Sequence, residues 1–108
     1  MEATKKQINF IGYNCNLVFG KYGSNNQNYI QLVDANDGEA VCTASVALPL
    51  QWCIDNDCVQ GDDEVFIKDY SENTGILEAL VSAGVISVIE PIRLNDYVEV
   101  TKCKIIKN

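Results

Sequence analysis

The sequence predicts an α+β domain in which one helix packs on a curved antiparallel sheet of about six strands. Several segments alternate apolar and polar residues with a period of two, which is typical of half-buried strands, and residues 72–83 instead repeat apolar residues at helical spacing. The chain has 108 residues, of which 47% are hydrophobic and 21% are charged. These values are ordinary for a globular protein, so we expect a single domain over residues 1–108.

The first half of the chain predicts consecutive antiparallel strands. Residues 8–11 are interpreted as a short strand, and residues 13–19 alternate apolar and polar side chains after Gly12. A polar stretch then separates them from the strand at residues 29–33. The sequence Asp-Ala-Asn-Asp-Gly at residues 34–38 is a strong turn signal, because glycine readily adopts the positive φ of a hairpin turn. We expect a meander.

The alternation continues over residues 40–48, which predicts a third long strand that ends at Pro49. Residues 50–63 lose the periodicity and become acidic, so we predict a loop with at most one irregular turn. A further strand is expected at residues 65–68.

A helix is predicted over residues 72–83. Ser71 can accept a backbone N–H as its N-cap, Glu72 complements the positive end of the helix dipole, and Gly84 allows a left-handed C-terminal stop. Its apolar stripe consists of Ile76, Leu77, Leu80 and Val81.

Two strands complete the predicted sheet, at residues 85–89 and 97–106, with a turn at Asn95 and Asp96 between them. Pro91 lacks a backbone N–H, so the first of these strands is expected either at an edge of the sheet or as two short pieces.

The charge of the chain is concentrated in residues 55–72. The chain carries a net charge of −7, and this segment alone contributes −6, since Lys68 is its single base. Direct binding to nucleic acid or to an anionic membrane is therefore not expected, because both need clustered lysine and arginine. The seven acids of the segment are Asp55, Asp57, Asp62, Asp63, Glu64, Asp69 and Glu72.

The complete absence of histidine removes the usual nucleophile pairs and the usual general base. A pair of carboxylates could still act as acid and base, but such a pair is more often a solvated face, so we expect no enzyme activity, no cofactor and no metal. The five cysteines are odd in number and scattered, which favours free thiols in a reducing cytoplasm. Four residues separate Cys53 from Cys58 in the sequence, which is wider than the two-residue spacing of zinc and redox motifs. A reversible local disulfide between them stays open. No apolar run approaches the roughly 20 residues of a membrane span, and no signal peptide is evident.

The predicted binding site is the acidic loop, where Trp52 could serve as an interface anchor or fold back as a lid on the core. Asp69 and Glu72 are instead interpreted as structural, at the corner before the helix. The candidate binding residues are Trp52, Asp55, Asp57, Asp62, Asp63 and Glu64.

An alternative site would bind a nucleotide-like signal between tyrosines and lysines, with turn amides holding its phosphate. The candidate pocket residues are Tyr13, Lys21, Tyr22, Lys68 and Tyr70.

Three segments of the chain resemble a family of small proteins of unknown function carried by plasmids, conjugative elements and phages of anaerobic gut bacteria. They are FIGYNCNLVFGKY (residues 10–22), IQLVDANDGEAVCTASVALP (30–49) and EVFIKDYSENTGILEALVSAGVI (64–86). The most specific part is Asp-Tyr-Ser-Glu-Asn at residues 69–73. Residues 50–62 and the chain beyond Ser87 depart from the pattern.

The resemblance implies an accessory gene of a mobile element, and proteins of that setting, size and acidity are often inhibitors of host defence. We therefore expect an anti-CRISPR-like inhibitor or nucleic-acid mimic whose partner is a host protein with a basic surface, such as a defence nuclease. The alternative is a sponge that sequesters a nucleotide immune signal. The oligomeric state is open.

Overall fold

The computed structural model of the chain describes residues 7–23, 27–70 and 73–106. These residues form seven strands and two short helices, in the order β1 (Gln7–Phe10), β2 (Tyr13–Lys21), β3 (Asn28–Asp34), β4 (Ala40–Thr43), α1 (Leu50–Asp55), β5 (Glu64–Ile67), α2 (Ile76–Ser82), β6 (Ile86–Arg93) and β7 (Glu99–Ile105).

The first sheet has the strand order β1-β2-β3-β4, and every neighbouring pair is antiparallel. The predicted meander is confirmed, because the period-two alternation places one set of side chains on the core face. Leu17 of β2 lies opposite Leu32 of β3, and both are buried.

The second sheet has the order β5-β7-β6, again antiparallel, and neither sheet is closed. Of the two alternatives predicted from Pro91, the edge strand is confirmed, since β6 contains Pro91 and, among the described strands, pairs with β7 alone. A bulge interrupts β6 between Val88 and Glu90.

The α+β prediction is confirmed, with the refinement that seven strands lie in two sheets and that the helices number two.

The predicted strand at residues 40–48 passes from one sheet to the other at Ala44. The Ala44 N–H still donates to Ile30 in the first sheet at 2.9 Å, whereas the Val46 N–H donates to Phe66 in the second at 3.0 Å. The Ser45 hydroxyl accepts the Ile30 N–H at 2.9 Å. This bond satisfies a backbone donor at the point where β4 leaves the sheet.

Strand β5 is buried on both faces because it separates two apolar clusters. Val65 and Ile67 belong to the larger cluster, which fills the space beneath the first sheet and α2, whereas Phe66 belongs to the smaller one. The smaller cluster consists of Leu48, Cys53, Cys58, Phe66, Ile92 and Val100.

The helix α2 begins later than predicted, at Ile76 instead of residue 72. The Asp69 carboxylate accepts the backbone N–H groups of Gly75 at 2.8 Å and Leu77 at 3.2 Å. The structural role predicted for Asp69 is confirmed, since it supplies the acceptor that a helix N-terminus needs. The predicted cap Ser71 and the dipole partner Glu72 lie outside the described residues. Gly84 follows the helix with φ of 75°, as predicted.

Candidate functional site

The acidic segment at residues 50–63 begins with a helix, which corrects the prediction of a loop. Pro49 has φ of −56° and ψ of 134° and serves as the N-cap of α1, and its carbonyl accepts the Cys53 N–H at 3.1 Å. Six residues make too short a helix to be stable in isolation. It is stabilised here by Cys53, which is completely buried in the smaller cluster.

The C-terminus of α1 is a Schellman motif with an aspartate in the left-handed position. The Cys58 N–H donates to the Cys53 carbonyl at 2.9 Å, and the Asp57 N–H donates to the Ile54 carbonyl at 3.3 Å. Asp57 has φ of 57°, a conformation usually adopted by glycine. The motif turns Cys58 into the core, whereas Asp57 stays exposed.

Two buried amide side chains fix this segment to the first sheet. The Gln27 amide donates to the Leu48 carbonyl at 2.8 Å and accepts the Leu48 N–H at 2.9 Å. The Asn28 amide donates to the carbonyls of Asp62 at 2.9 Å and Glu64 at 2.7 Å. Both residues lie at the end of a polar run, so sequence patterning gave no signal for this role. The segment is thus held at its start and at its end.

Two of the predicted binding acids are engaged by lysines of β7. The buried Lys102 ammonium lies 3.2 Å from the Glu64 carboxylate and also donates to the Val59 carbonyl at 3.2 Å. Lys104 lies 3.7 Å from Asp63. Glu64 and Asp63 therefore contribute little unbalanced negative charge to the surface.

The other three acids, Asp55, Asp57 and Asp62, are exposed and take part in neither of these ion pairs. Asp55 accepts a hydrogen bond from the neutral Gln51 amide at 2.9 Å, so among the described residues no lysine or arginine balances its charge. These carboxylates are the part of the predicted site that can attract a cationic partner.

Three exposed apolar side chains lie on the same segment, and sequence analysis missed them. Leu50 is 48% exposed, Ile54 is 53% exposed and Val59 is 49% exposed. Leu50 and Ile54 are four residues apart on α1 and so project from one side of it; the signal was hidden because the helix was not predicted. We call Leu50, Ile54, Asp55, Asp57, Val59 and Asp62 the α1 surface.

Trp52 is half-buried and packs against the smaller apolar cluster. Of its two predicted roles, the packing favours the lid on the core over the interface anchor. A tryptophan in this position contributes mainly to the stability of the segment.

The five residues of the alternative nucleotide pocket are not brought together. Tyr13 and Lys21 are at opposite ends of the nine-residue strand β2, about 26 Å apart at strand spacing. The Lys21 ammonium donates to Asn28 at 2.9 Å. Tyr22 shares a hydrogen bond of 3.0 Å with Ser45 and packs on Tyr29, with ring centroids 5.4 Å apart. Lys68 and Tyr70 follow β5.

All five cysteines are free thiols in the structure. Burial raises the pKa of Cys103 to about 12, and burial together with the neighbouring Cys58 raises the pKa of Cys53 to about 11. These thiols are protonated at neutral pH and poorly nucleophilic. Among the described residues, no three acids or cysteines are grouped so that they could hold a metal ion.

No family model, no curated protein and no solved structure matches the chain. Within the described part of the chain, no helix has both the length and the apolar character needed to cross a membrane.

Proposed function

We propose that this protein is a non-enzymatic inhibitor of host defence that docks its α1 surface on a basic surface of a nucleic-acid enzyme, such as a defence nuclease. The observation that carries the proposal is the pairing of exposed apolar side chains with uncompensated carboxylates on one firmly held segment. Protein interfaces combine these features, with an apolar centre and a polar rim.

The apolar part of the α1 surface gives a reason for binding that a solvated acidic loop lacks. Leu50, Ile54 and Val59 are each about half exposed, whereas a loop that serves only solubility has no need for them. Burial of such side chains at an interface supplies most of the binding free energy.

The fixed backbone of the acidic segment at residues 50–63 supports tight binding. Its backbone bonds to Gln27 and Asn28 fix the positions of the exposed carboxylates before a partner arrives. A preorganised surface loses less conformational entropy on binding than a mobile loop.

The carboxylates define the chemistry of the partner. Surfaces that bind nucleic acid are lined with lysine and arginine, which phosphates normally neutralise. Asp55, Asp57 and Asp62 are spaced along the segment and could occupy such positions in place of phosphates. Attraction between opposite charges also raises the rate of association. The resemblance to proteins of mobile elements supports a defence enzyme as the partner.

The test is binding to purified defence nucleases by biolayer interferometry, together with inhibition of DNA cleavage. The combined variant Asp55→Asn, Asp57→Asn and Asp62→Asn should weaken binding at least tenfold, since each charged contact contributes on the order of 1 kcal/mol. Ile54→Ser should weaken binding without changing its salt dependence, because it removes apolar area alone.

The matched control is the variant Glu78→Gln, Glu90→Gln and Asp96→Asn, which removes the same net charge from exposed sites elsewhere. It should retain binding. Equal effects of the two triple variants would show that net charge, and not the α1 surface, governs the interaction. Binding that is insensitive to salt and to both triple variants would refute the proposal.

A further inference from the structure

A second surface lies at the end of the first sheet that is remote from the α1 surface. The turn between β1 and β2 and the turn between β3 and β4 meet there, because alternate hairpins of a meander share one end of the sheet. Between them is an open groove with a volume of about 360 Å³. Its lining residues are Ile11, Tyr13, Asp34, Asp37, Glu39, Ala40 and Val41.

The lining of the groove includes exposed apolar side chains. Ile11 is 61% exposed and Tyr13 is 48% exposed, and the half-buried Val41 also belongs to the lining. The ring of Tyr13 thus offers a face on which a planar cation can stack.

Ile11 occupies a position that folding alone does not favour. Ile11 and Gly12 are the two central residues of the hairpin turn, with φ of 45° and 86°. Turns with two positive φ values favour Asn-Gly, and a β-branched residue is a rare outlier there. Because the side chain is exposed, burial does not compensate for the backbone cost. A role in contacting another molecule would account for the choice of isoleucine.

The same lining carries three carboxylates, those of Asp34, Asp37 and Glu39. Asp34 accepts the Asn36 N–H at 2.8 Å and Asp37 accepts the Glu39 N–H at 3.0 Å, so two of these carboxylates have defined orientations. Within the part of the chain that the structure describes, the lining includes no lysine or arginine. The groove therefore combines aromatic and aliphatic side chains with negative charge.

We propose that this groove is a docking site for a protein partner that inserts an arginine flanked by apolar residues. The guanidinium fits this chemistry better than an ammonium, because it is planar, stacks on a tyrosine ring and can bond to two carboxylate oxygens at once. The apolar flanks of the arginine pack on Ile11 and Val41.

This docking site is separate from the proposed function, since nine-residue β2 places it about 26 Å from the end of the sheet that holds the acidic segment. Side chains of either surface can therefore be substituted without altering the other surface.

In the first experiment the protein is titrated with the capped tripeptide Leu-Arg-Leu, and binding is measured from the NMR shifts of the backbone amides. Shifts are expected at residues 11–13 and 34–41, and Tyr13→Ala or Asp37→Asn should weaken binding about fivefold. Asp96→Asn, at an exposed site outside both surfaces, is the matched control and should leave the affinity unchanged. A second tripeptide carries citrulline in place of arginine, which keeps the shape of the side chain and removes its charge. Equal amide shifts and equal affinity for the two tripeptides would overturn the proposal. Binding of free arginine as tight as that of the tripeptide would also count against a protein docking site.

The second experiment uses Ile11→Asn, which is safe for folding because asparagine suits this turn. The variant should unfold at a higher temperature and bind Leu-Arg-Leu about fivefold more weakly. A stabilised variant with unchanged affinity would show that Ile11 does not contact the ligand and would contradict the proposal.

Discussion

The Lys102 ammonium and the Glu64 carboxylate form an ion pair at 3.2 Å beneath the acidic segment. Lys102 is buried, and it also donates to the Val59 carbonyl in the middle of that segment. The pair therefore connects the second sheet to the backbone that carries the α1 surface. A buried ammonium is costly to leave without its counter-charge.

Glu64→Gln should lower the free energy of unfolding by roughly 2 kcal/mol, because Lys102 keeps its burial and loses its charged partner. Urea denaturation followed by circular dichroism measures the change. Asp62→Asn is the matched control and should change stability by less than about 0.5 kcal/mol, since Asp62 is exposed and pairs with no described lysine. Equal effects of both variants would contradict a structural role for Glu64.

Asn28→Ala should lower stability by roughly 2–4 kcal/mol, since it leaves the Asp62 and Glu64 carbonyls without their amide donor. Hydrogen exchange should also become faster at residues 58–64, where the segment is no longer held to β3. The control is Asn9→Ala, which removes one exposed hydrogen bond to Asn14 and should have little effect. If exchange accelerates uniformly over the chain, the amide does not act locally on the segment.

Much of the sheet was predictable because side-chain alternation marks a strand wherever one face is buried. This holds for β2 and β3. Alternation cannot show which strand a residue pairs with, so the passage of residues 40–48 between two sheets at Ala44 was not predictable. A single long strand and a strand shared by two sheets have the same pattern.

The helix α1 was missed for a different reason. Six residues span less than two turns, so no periodicity can be established, and the residue that holds the helix in place is Cys53 through tertiary burial. The acids of the candidate site were visible in the sequence. Their division into paired and unpaired groups was not, because Lys102 and Lys104 come from a strand about 40 residues later in the chain.

Cysteine burial predicts a loss of stability at alkaline pH. The pKa of Cys103 rises to about 12 from its ordinary value of 9.0 because burial disfavours the thiolate. Above pH 9.0 the unfolded chain releases this proton whereas the folded chain retains it, so the free energy of unfolding falls as the pH rises toward 12. Below pH 9.0 the thiol is protonated in both the folded and the unfolded chain, so its burial does not make the free energy of unfolding depend on pH.

Urea denaturation at several pH values between about 8 and 10.5 tests this prediction. Cys103→Ala should be less stable at pH 8 through lost packing, and its stability should fall less steeply with pH than that of the wild type. Every other ionisable group is present in both proteins, so its effect on stability cancels when the two pH dependences are compared. Parallel pH dependences would show that Cys103 does not contribute.

The left-handed backbone of Asp57 predicts that this position favours glycine. Asp57→Gly should raise stability by about 0.5–1 kcal/mol, because glycine adopts the C-terminal position of a Schellman motif without steric cost. Asp57→Val should lower stability by more than about 1 kcal/mol, since a β-branched residue is strained at φ of 57°. Thermal unfolding of both variants provides the measurement, and Asp55→Asn is the control for loss of charge alone. Stabilisation by Asp55→Asn equal to that by Asp57→Gly would show that charge repulsion, and not backbone conformation, accounts for the gain.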